Sequence, residues 1–371
     1  MAYLIFYSLV FFIVILSKRW KNNFLYFILS ALIVSFSAFR YETGFDWPIY
    51  DKYLNDLLPI VYFPVFELFK QLFIYSEADK IYFYFWVSII GNVFILLAAS
   101  KYFKYYRFVF VLFYVLWTDF YLIHSFSILR QFICLGFILY AFSRKVEGQS
   151  YWFALLLALL THHSAFLFLF FIFAFYWLKH IRQLHIWFMF IVFSLLFLFN
   201  ISIVNVAAKL ILLTFNMSYL EMYMKDTFNA SIPLKVVIIF TYVFILYFSM
   251  DIFKSKLISE NEYYFCMIYV FLSIVFYSFP TVTTRVNLFF VFPVIKVVMF
   301  SLRRVVFLQR VFITGGVVMI LAYSNYRFYL SPLNVTYYPY QTWLIENDVE
   351  KSTGMKRTQE VYDQLYKLGV F

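Results

Sequence analysis

The chain has 371 residues, of which 65% are hydrophobic and 26% aromatic, with a formal net charge of +11. A soluble chain of this length would divide into two or three domains, but long apolar runs separated by short basic loops read as a single membrane domain covering 1–371. The basic residues stand in short clusters between apolar segments rather than along one soluble face, so they are topology signals and give no ground for nucleic acid as a partner.

In chain order, spanning segments are expected at 2–17, 24–39, 81–99, 108–123, 126–142, 186–204, 234–253, 263–279, 286–301 and 311–325. The opening MAYLIFYSLV has no positive n-region and no small-residue cleavage site before the basic cluster, so the first segment reads as a retained anchor. Lys18, Arg19 and Lys21 follow it, and Lys101, Lys104 and Arg107 follow the third segment. Arg144 with Lys145, Lys179 with Arg182, Lys254 with Lys256, and Arg303, Arg304 and Arg310 complete the series. The positive-inside rule makes these six loops cytoplasmic.

The apolar stretch 151–178 has basic loops on both sides, so it must leave the cytoplasm and return. Its length allows only about 42 Å for the round trip at 1.5 Å per residue. It is expected to be a short helical hairpin with Thr161-His162-His163-Ser164 at the tip. With both limbs counted, the fold is all-α and polytopic, with about twelve transmembrane helices and both termini outside.

Three outward segments exceed simple connectors. Residues 40–80 begin with the polar RYETGFDWPIYDKY and continue into FPVFELFKQLFIY, an amphipathic piece suited to the membrane interface. Residues 205–233 carry Asn216, Glu221, Lys225 and Asp226 among apolar neighbours, and the tail 331–371 becomes charged after Pro339, with a helix expected there. Together they would roof the outward ends of the helices.

With 54 Phe and 34 Tyr, aromatic stripes are read as lipid-facing bulk and interfacial belts. Cys134 and Cys266 lie in separate apolar segments without metal or CxxC spacing, so both are expected to be buried free thiols. No HExxH, GxSxG, P-loop or DxD pair is present, which removes support for proteolysis, serine hydrolysis and nucleotide-driven chemistry. No internal repeat or matched pair of broken helices points to secondary transport.

The informative residues are charged ones at membrane depth. Arg130 lies 14 residues before Arg144, Arg285 18 before Arg303, Arg40 19 after Lys21, and His162 11 after Tyr151. At 1.5 Å per residue these offsets are about 21, 27, 28 and 16 Å, in the middle or outer half of the bilayer. A charge there costs about 2.5–3.5 kcal/mol on insertion scales, so idle placement is disfavoured. Arginine forks suit phosphate oxygens, and a lipid-linked diphosphate would reach such a cluster. The plain alternative has each arginine snorkelling to water or pairing with a carboxylate such as Asp119 or Glu67. Glu42, Asp46, Asp51, Asp56 and Glu67 on the outer side offer candidate general bases toward a sugar hydroxyl.

Five pieces in order carry a resemblance. They are FRYETGFDWPIY, with its R-x3-G-x-D core from Arg40 to Asp46 and a following Tyr, Tyr50; FELF around Glu67; SILRQ from Ser127 to Gln131, with Arg130; LLTHHSA with His162-x-Ser164; and TTRVNLFFVFP around Arg285. The set resembles the EpsG family of bacterial polysaccharide polymerases, similar in role to the Wzy O-antigen polymerases.

The resemblance implies a GT-C-like glycosyltransferase of the bacterial inner membrane, its site toward the periplasm, joining oligosaccharide repeat units carried on undecaprenyl diphosphate. The implied partners are the lipid-linked donor and acceptor, membrane lipid and, as a candidate, a chain-length regulator protein, with no cofactor and no metal. It also implies that Arg40, Gly44, Asp46, Glu67, Arg130, Gln131, His162 and Arg285 sit at the family's motif positions, without fixing their individual roles; Arg40, Glu67, Arg130, Gln131 and Arg285 are the candidates for binding the diphosphate or sugar. Asp46 and His162 become the candidates for orienting or deprotonating the attacking hydroxyl. Two rivals remain: a flippase or exporter for the same lipid-linked sugar, and a membrane acyltransferase using the His-containing tip.

Overall fold

Apolar residues run through this chain without the two-residue alternation of a half-exposed sheet, and the computed structural model is correspondingly helical. It describes residues 1–20, 22–57, 64–75, 80–178, 183–206, 209, 231–338, 340–342, 344 and 353–367. Among the described residues there is no named strand, and a lone antiparallel bridge joins Arg40 to Thr342. The chain divides into two compact units, one of Met1–Ala165 with Thr314–Phe371 and one of Phe166–Ile313.

The first unit opens with α1 (Ala2–Arg19) and α2 (Asn23–Ala38), the latter started by the Asn22 side chain accepting the Phe24 N–H. Two short helices follow, α3 (Trp47–Leu54) and α4 (Pro64–Tyr75), inside the region expected to be an outward loop. Then come α5 (Lys80–Phe103) and α6 (Arg107–Leu116). A π-helical turn at Asp119–Ile123 and the short α7 (His124–Phe126) lead into α8 (Leu129–Val146) and α9 (Trp152–Leu159). The expected segment 126–142 therefore begins only at Leu129, because the chain breaks its helix at Ser127 and Ile128.

Five stretches among the described residues are long and apolar enough to cross a membrane: Ala2–Arg19, Ile81–Leu116, Ile232–Lys254, Val282–Arg304 and Phe307–Leu330. The second of these is two limbs. Lys104 sits at φ +48° between α5 and α6, and the Tyr114 hydroxyl donates to Asn92 Oδ1 at 2.7 Å. A straight helix would hold those residues about 33 Å apart, so the chain reverses at Lys104, between the expected segments 81–99 and 108–123. Asn23–Ala38 and His185–Leu198 are apolar but shorter.

The packing of α5 on α8 depends on small residues. A Cβ at Gly136 would lie 3.0 Å from the Gly91 carbonyl, and one at Gly91 would run into the Phe132 ring. Glycine at both places lets the two backbones approach, as small residues do between membrane helices. Consistent with that depth, Leu129, Phe132, Ile133, Cys134, Leu135 and Ile138 of α8 are all fully buried.

The second unit contains α10 (Ser164–Leu178), α11 (Gln183–Leu198), α12 (Ile232–Lys254), α13 (Glu260–Val275), α14 (Pro280–Asn287) and α15 (Val291–Arg304). Its core gathers Phe190, Phe197, Ile252, Cys266, Val270 and Val297. A capping box starts α13, where Ser259 and Glu262 satisfy each other's backbone N–H, and the same Glu262 pairs with Lys296 on α15 at 2.6 Å. The chain finishes with α16 (Phe307–Leu330), a 3-10 turn at Pro332–Thr336 and α17 (Gly354–Lys367), a helix in the tail expected to carry one.

The stretch 151–178 divides at its expected tip, with α9 packed on α8 in the first unit and most of α10 assigned to the second. Most of 205–233 lies outside the described residues. Both cysteines are free and buried.

Candidate functional site

Arg40 stands just beyond the last apolar residues of α2. Its side chain is 3% exposed, and Nη1 donates to the Ser37 carbonyl at 2.5 Å and to the Ser88 hydroxyl. Ser37 Oγ in turn accepts from Asn92 Nδ2 at 2.8 Å, so one polar chain from Arg40 through Ser37 and Asn92 to Tyr114 ties α2, α5 and α6. Phe126 and Tyr84 rings lie 5.1 and 5.8 Å from the guanidinium carbon. Nε and Nη2 find no hydrogen-bond partner among the described residues. Those two nitrogens form the side-on edge of the guanidinium, the fork that grips a phosphate or carboxylate bidentately. Burial pulls Arg40 down to about 10, partly offset by neighbouring tyrosines, and it stays a cation at neutral pH.

Downstream of Arg40 the loop is pinned against the start of α8. The Phe45 N–H donates to Ser127 Oγ at 2.9 Å, and Ser127 shares a 2.5 Å hydrogen bond with the Tyr337 hydroxyl. Gly44 has φ +111°, and a Cβ there would lie 2.2 Å from the Phe126 carbonyl oxygen. Glycine is required on both counts, since the left-handed conformation and the close approach each exclude a side chain. The R-x3-G-x-D and SILRQ pieces are thus in contact.

Asp46 takes the N-cap position of α3 without capping it through its side chain. One turn on, the buried Tyr50 hydroxyl is engaged by Arg130 and feels the Asp46 charge; burial pushes it up, Asp46 adds to the rise and Arg130 opposes it. Tyr53, a further turn along, donates to Glu67 Oε2 at 2.6 Å, and Gln71 Nε2 donates to Glu67 Oε1 at 2.8 Å. Burial alone would raise the Glu67 carboxyl, but the hydrogen bonds from Tyr53 and Gln71 and the charge of Lys70 hold it below its ordinary value. Lys70 pairs with Asp56 and lies 4.4 Å from the Tyr53 ring.

A backbone bond from the Val65 N–H to the Leu160 carbonyl, at 3.3 Å, sets α4 beside the turn that carries His162. His162 is 8% exposed while His163 faces outward. Nδ1 of His162 accepts the Ser164 N–H at 3.1 Å and lies 2.8 Å from Ser164 Oγ. A ring nitrogen that accepts a backbone N–H carries no proton, so the neutral imidazole is the Nε2–H tautomer. This explains the H-x-S spacing: the histidine caps the first turn of α10 through the residue two positions on.

The first unit therefore gathers Arg40, Asp46, Glu67, Arg130, Gln131 and His162 on or beside the 40–46 loop, α3, α4, the start of α8 and the turn after α9. Gln131 is buried next to Arg130. Arg285 lies in the second unit, in the last turn of α14, where Thr283 Oγ1 donates to the Phe276 and Phe279 carbonyls and Asn287 Nδ2 donates to Ser273 Oγ at 2.7 Å. No group of three or more His, Cys, Asp or Glu side chains able to hold a metal occurs among the described residues.

Tyr53 and Tyr337 escape the sequence reading, while Tyr50 and Ser127 enter it only as motif positions, the Tyr that follows the R-x3-G-x-D core and the first residue of SILRQ, with no role attached. The tyrosines at Asp46 plus four and plus seven fall on one helical face, but 34 tyrosines in the chain hide that spacing. Tyr337 is 210 residues from Ser127, a distance no local pattern reports.

The EpsG family model matches residues 23–342, which takes in every one of these candidate residues. No curated protein and no solved structure matches the chain.

Proposed function

We propose, from the premise that the chain belongs to the EpsG family, that it polymerises oligosaccharide repeat units carried on undecaprenyl diphosphate, by glycosyl transfer at the periplasmic face of the bacterial inner membrane. The observation that carries this reading is the unpartnered fork of Arg40, a buried cation whose Nε and Nη2 have no hydrogen-bond partner among the described residues, on the same loop as Asp46.

In the proposed reaction an acceptor sugar hydroxyl attacks the anomeric carbon of the growing chain. The new glycosidic C–O bond forms as the C–O bond to the diphosphate breaks, and the diphosphate leaves with the electron pair. Arg40 grips its oxygens through the fork and Arg130 adds positive charge, the logic of any charge clamp built before the reaction begins. Arg285, at a family motif position in the second unit, is a further candidate for holding substrate. The hydroxyl proton passes to the Asp46 carboxylate. His162, whose Nδ1 already accepts from Ser164, orients a sugar or phosphate oxygen as an Nε2–H donor rather than serving as base. Glu67, held ionised by two donors, positions Tyr53 and accepts from substrate hydroxyls. Gln131 lines the same site.

The test is a purified protein in lipid nanodiscs supplied with lipid-linked repeat units. A ladder of products longer than one unit supports the reading. Movement of unpolymerised units across a vesicle membrane, with no ladder, favours the flippase. In cells the same division appears on deletion: single-unit lipopolysaccharide marks a lost polymerase, and none marks a lost flippase.

A further inference from the structure

The loop bearing Arg40, Gly44 and Asp46 holds a non-glycine residue in the left-handed region, Glu42 at φ +42°. Such a residue is strained and persists only when its surroundings hold it. What holds Glu42 comes from the far end of the chain. Arg357 on α17 donates from Nη2 to the Tyr41 carbonyl at 3.0 Å and the Glu42 carbonyl at 2.7 Å. The Glu42 carboxylate accepts the Gly354 N–H at 2.7 Å, so the strained residue is held at its backbone and its side chain by the same helix.

The fit is close. A Cβ at Gly354 would come within 2.6 Å of the Trp47 ring and 2.7 Å of the Glu42 carbonyl. The segment leading to α17 adds two more bonds, Tyr41 N–H to the Gln341 carbonyl at 2.8 Å and Gly44 N–H to the Thr336 carbonyl at 3.1 Å. Arg357 itself is 2% exposed, and its Nε and Nη1 have no hydrogen-bond partner among the described residues. Burying a cation with donors left over opposes folding, so this contact is a poor stabiliser and a strong constraint on backbone geometry.

We propose that Arg357 is a positioning residue, which fixes the Tyr41 and Glu42 backbone and so aims the Arg40 fork and the Asp46 carboxylate. The proposal rests on the reading of the 40–46 loop as part of the polymerase site, and it extends the working parts to α17, beyond the residues that the family match covers. Arg357 touches no reacting atom.

The test compares full-length Arg357→Gln and Arg357→Lys with the wild type in lipid nanodiscs, by hydrogen exchange and by ladder formation. Arg357→Gln is expected to speed exchange in peptides covering 40–46 while α8 keeps its protection, and to lower turnover about tenfold to hundredfold, the scale of a small misplacement of reacting groups. Arg357→Lys restores a charge and a donor and is expected to recover part of both. If Arg357→Gln does not accumulate, Glu42→Gln probes the same clasp and is expected to speed exchange over the same peptides. Unchanged exchange over 40–46, or faster exchange with wild-type turnover, would overturn the proposal. Wild-type turnover by Arg40→Gln would instead overturn the reading of the site, with the exchange result still deciding whether Arg357 sets the loop.

Discussion

Ser164 donates its backbone N–H to Nδ1 of His162 at 3.1 Å, which commits the acceptor edge of the imidazole to the turn and leaves Nε2 as the donor. Asparagine carries its side-chain oxygen near the position of Nδ1, and glutamine carries its amide nearer that of Nε2. His162→Asn is therefore expected to keep the turn and lose polymerisation, while His162→Gln retains more product at the cost of a lower Tm. Ladder length and thermal unfolding of the two variants, side by side, check this. Equal activity in both would remove the Nε2 donor from the mechanism. His163, exposed beside it, is expected to tolerate Ala.

Gly44 gives a sharper structural prediction. Its φ is +111°, and a methyl group there would stand 2.2 Å from the Phe126 carbonyl oxygen, so Gly44→Ala must shift backbone, because no flexible side chain can yield. A loss of stability of a few kcal/mol is expected, at the upper end for single substitutions. The check is the Tm in detergent together with exchange at Phe45, whose N–H is held by Ser127. A Tm unchanged within a degree or two would contradict the packing.

The sequence was most informative where a physical cost is local. Arg40 and Arg130 announced themselves because a charge near the membrane is expensive wherever the chain goes next, and both lie by the loop that the structure pins. The two-residue spacing of His162 and Ser164 likewise encodes a contact made within the turn. The reversal at Lys104 was legible from the basic cluster around it. What escaped was long-range: Tyr337 on Ser127 and Arg357 on Glu42 join residues hundreds of positions apart, and nothing in one sequence couples them. The expected crossings are only partly matched by long helices, because length and hydropathy alone do not report where short helices such as α9 and α14 end.

Glu67 supplies a pH dependence. Burial favours its neutral form, but the Tyr53 and Gln71 hydrogen bonds and the Lys70 charge favour the carboxylate more, so the folded-state value is depressed. A depressed carboxyl adds stability that is complete above its unfolded value, near 4.3, and is lost as pH falls through the folded value. The contact between α3 and α4 is therefore expected to weaken on acidification below about pH 4.3. Tyr53→Phe removes the first of the stabilising bonds and should move the acid transition upward, while Glu67→Gln should flatten it. Thermal unfolding between pH 3 and 6 measures both, and an acid limb identical in wild type and Glu67→Gln would assign the effect to other carboxylates.

The arginines separate charge from geometry. Arg40 anchors one nitrogen on Ser37 and Ser88 and has no hydrogen-bond partner along its side-on edge among the described residues; in the proposed site that edge meets the diphosphate, whereas lysine in its place could make the anchor or meet the ligand but not both. Arg40→Lys is expected to lower turnover about tenfold to hundredfold, the worth of one charge-assisted hydrogen bond of about 1.5–3 kcal/mol. Arg40→Gln, which loses the charge as well, should fall further. Arg130 differs: it engages Tyr50, so Tyr50→Phe should blunt the effect of Arg130→Lys, a coupling that a double-mutant cycle reads directly. Binding of inorganic diphosphate to the purified protein provides the companion measurement. Near-normal turnover and diphosphate binding in Arg40→Lys would mean that the fork serves only as a point charge, and the same result in Arg40→Ala would take Arg40 out of the site.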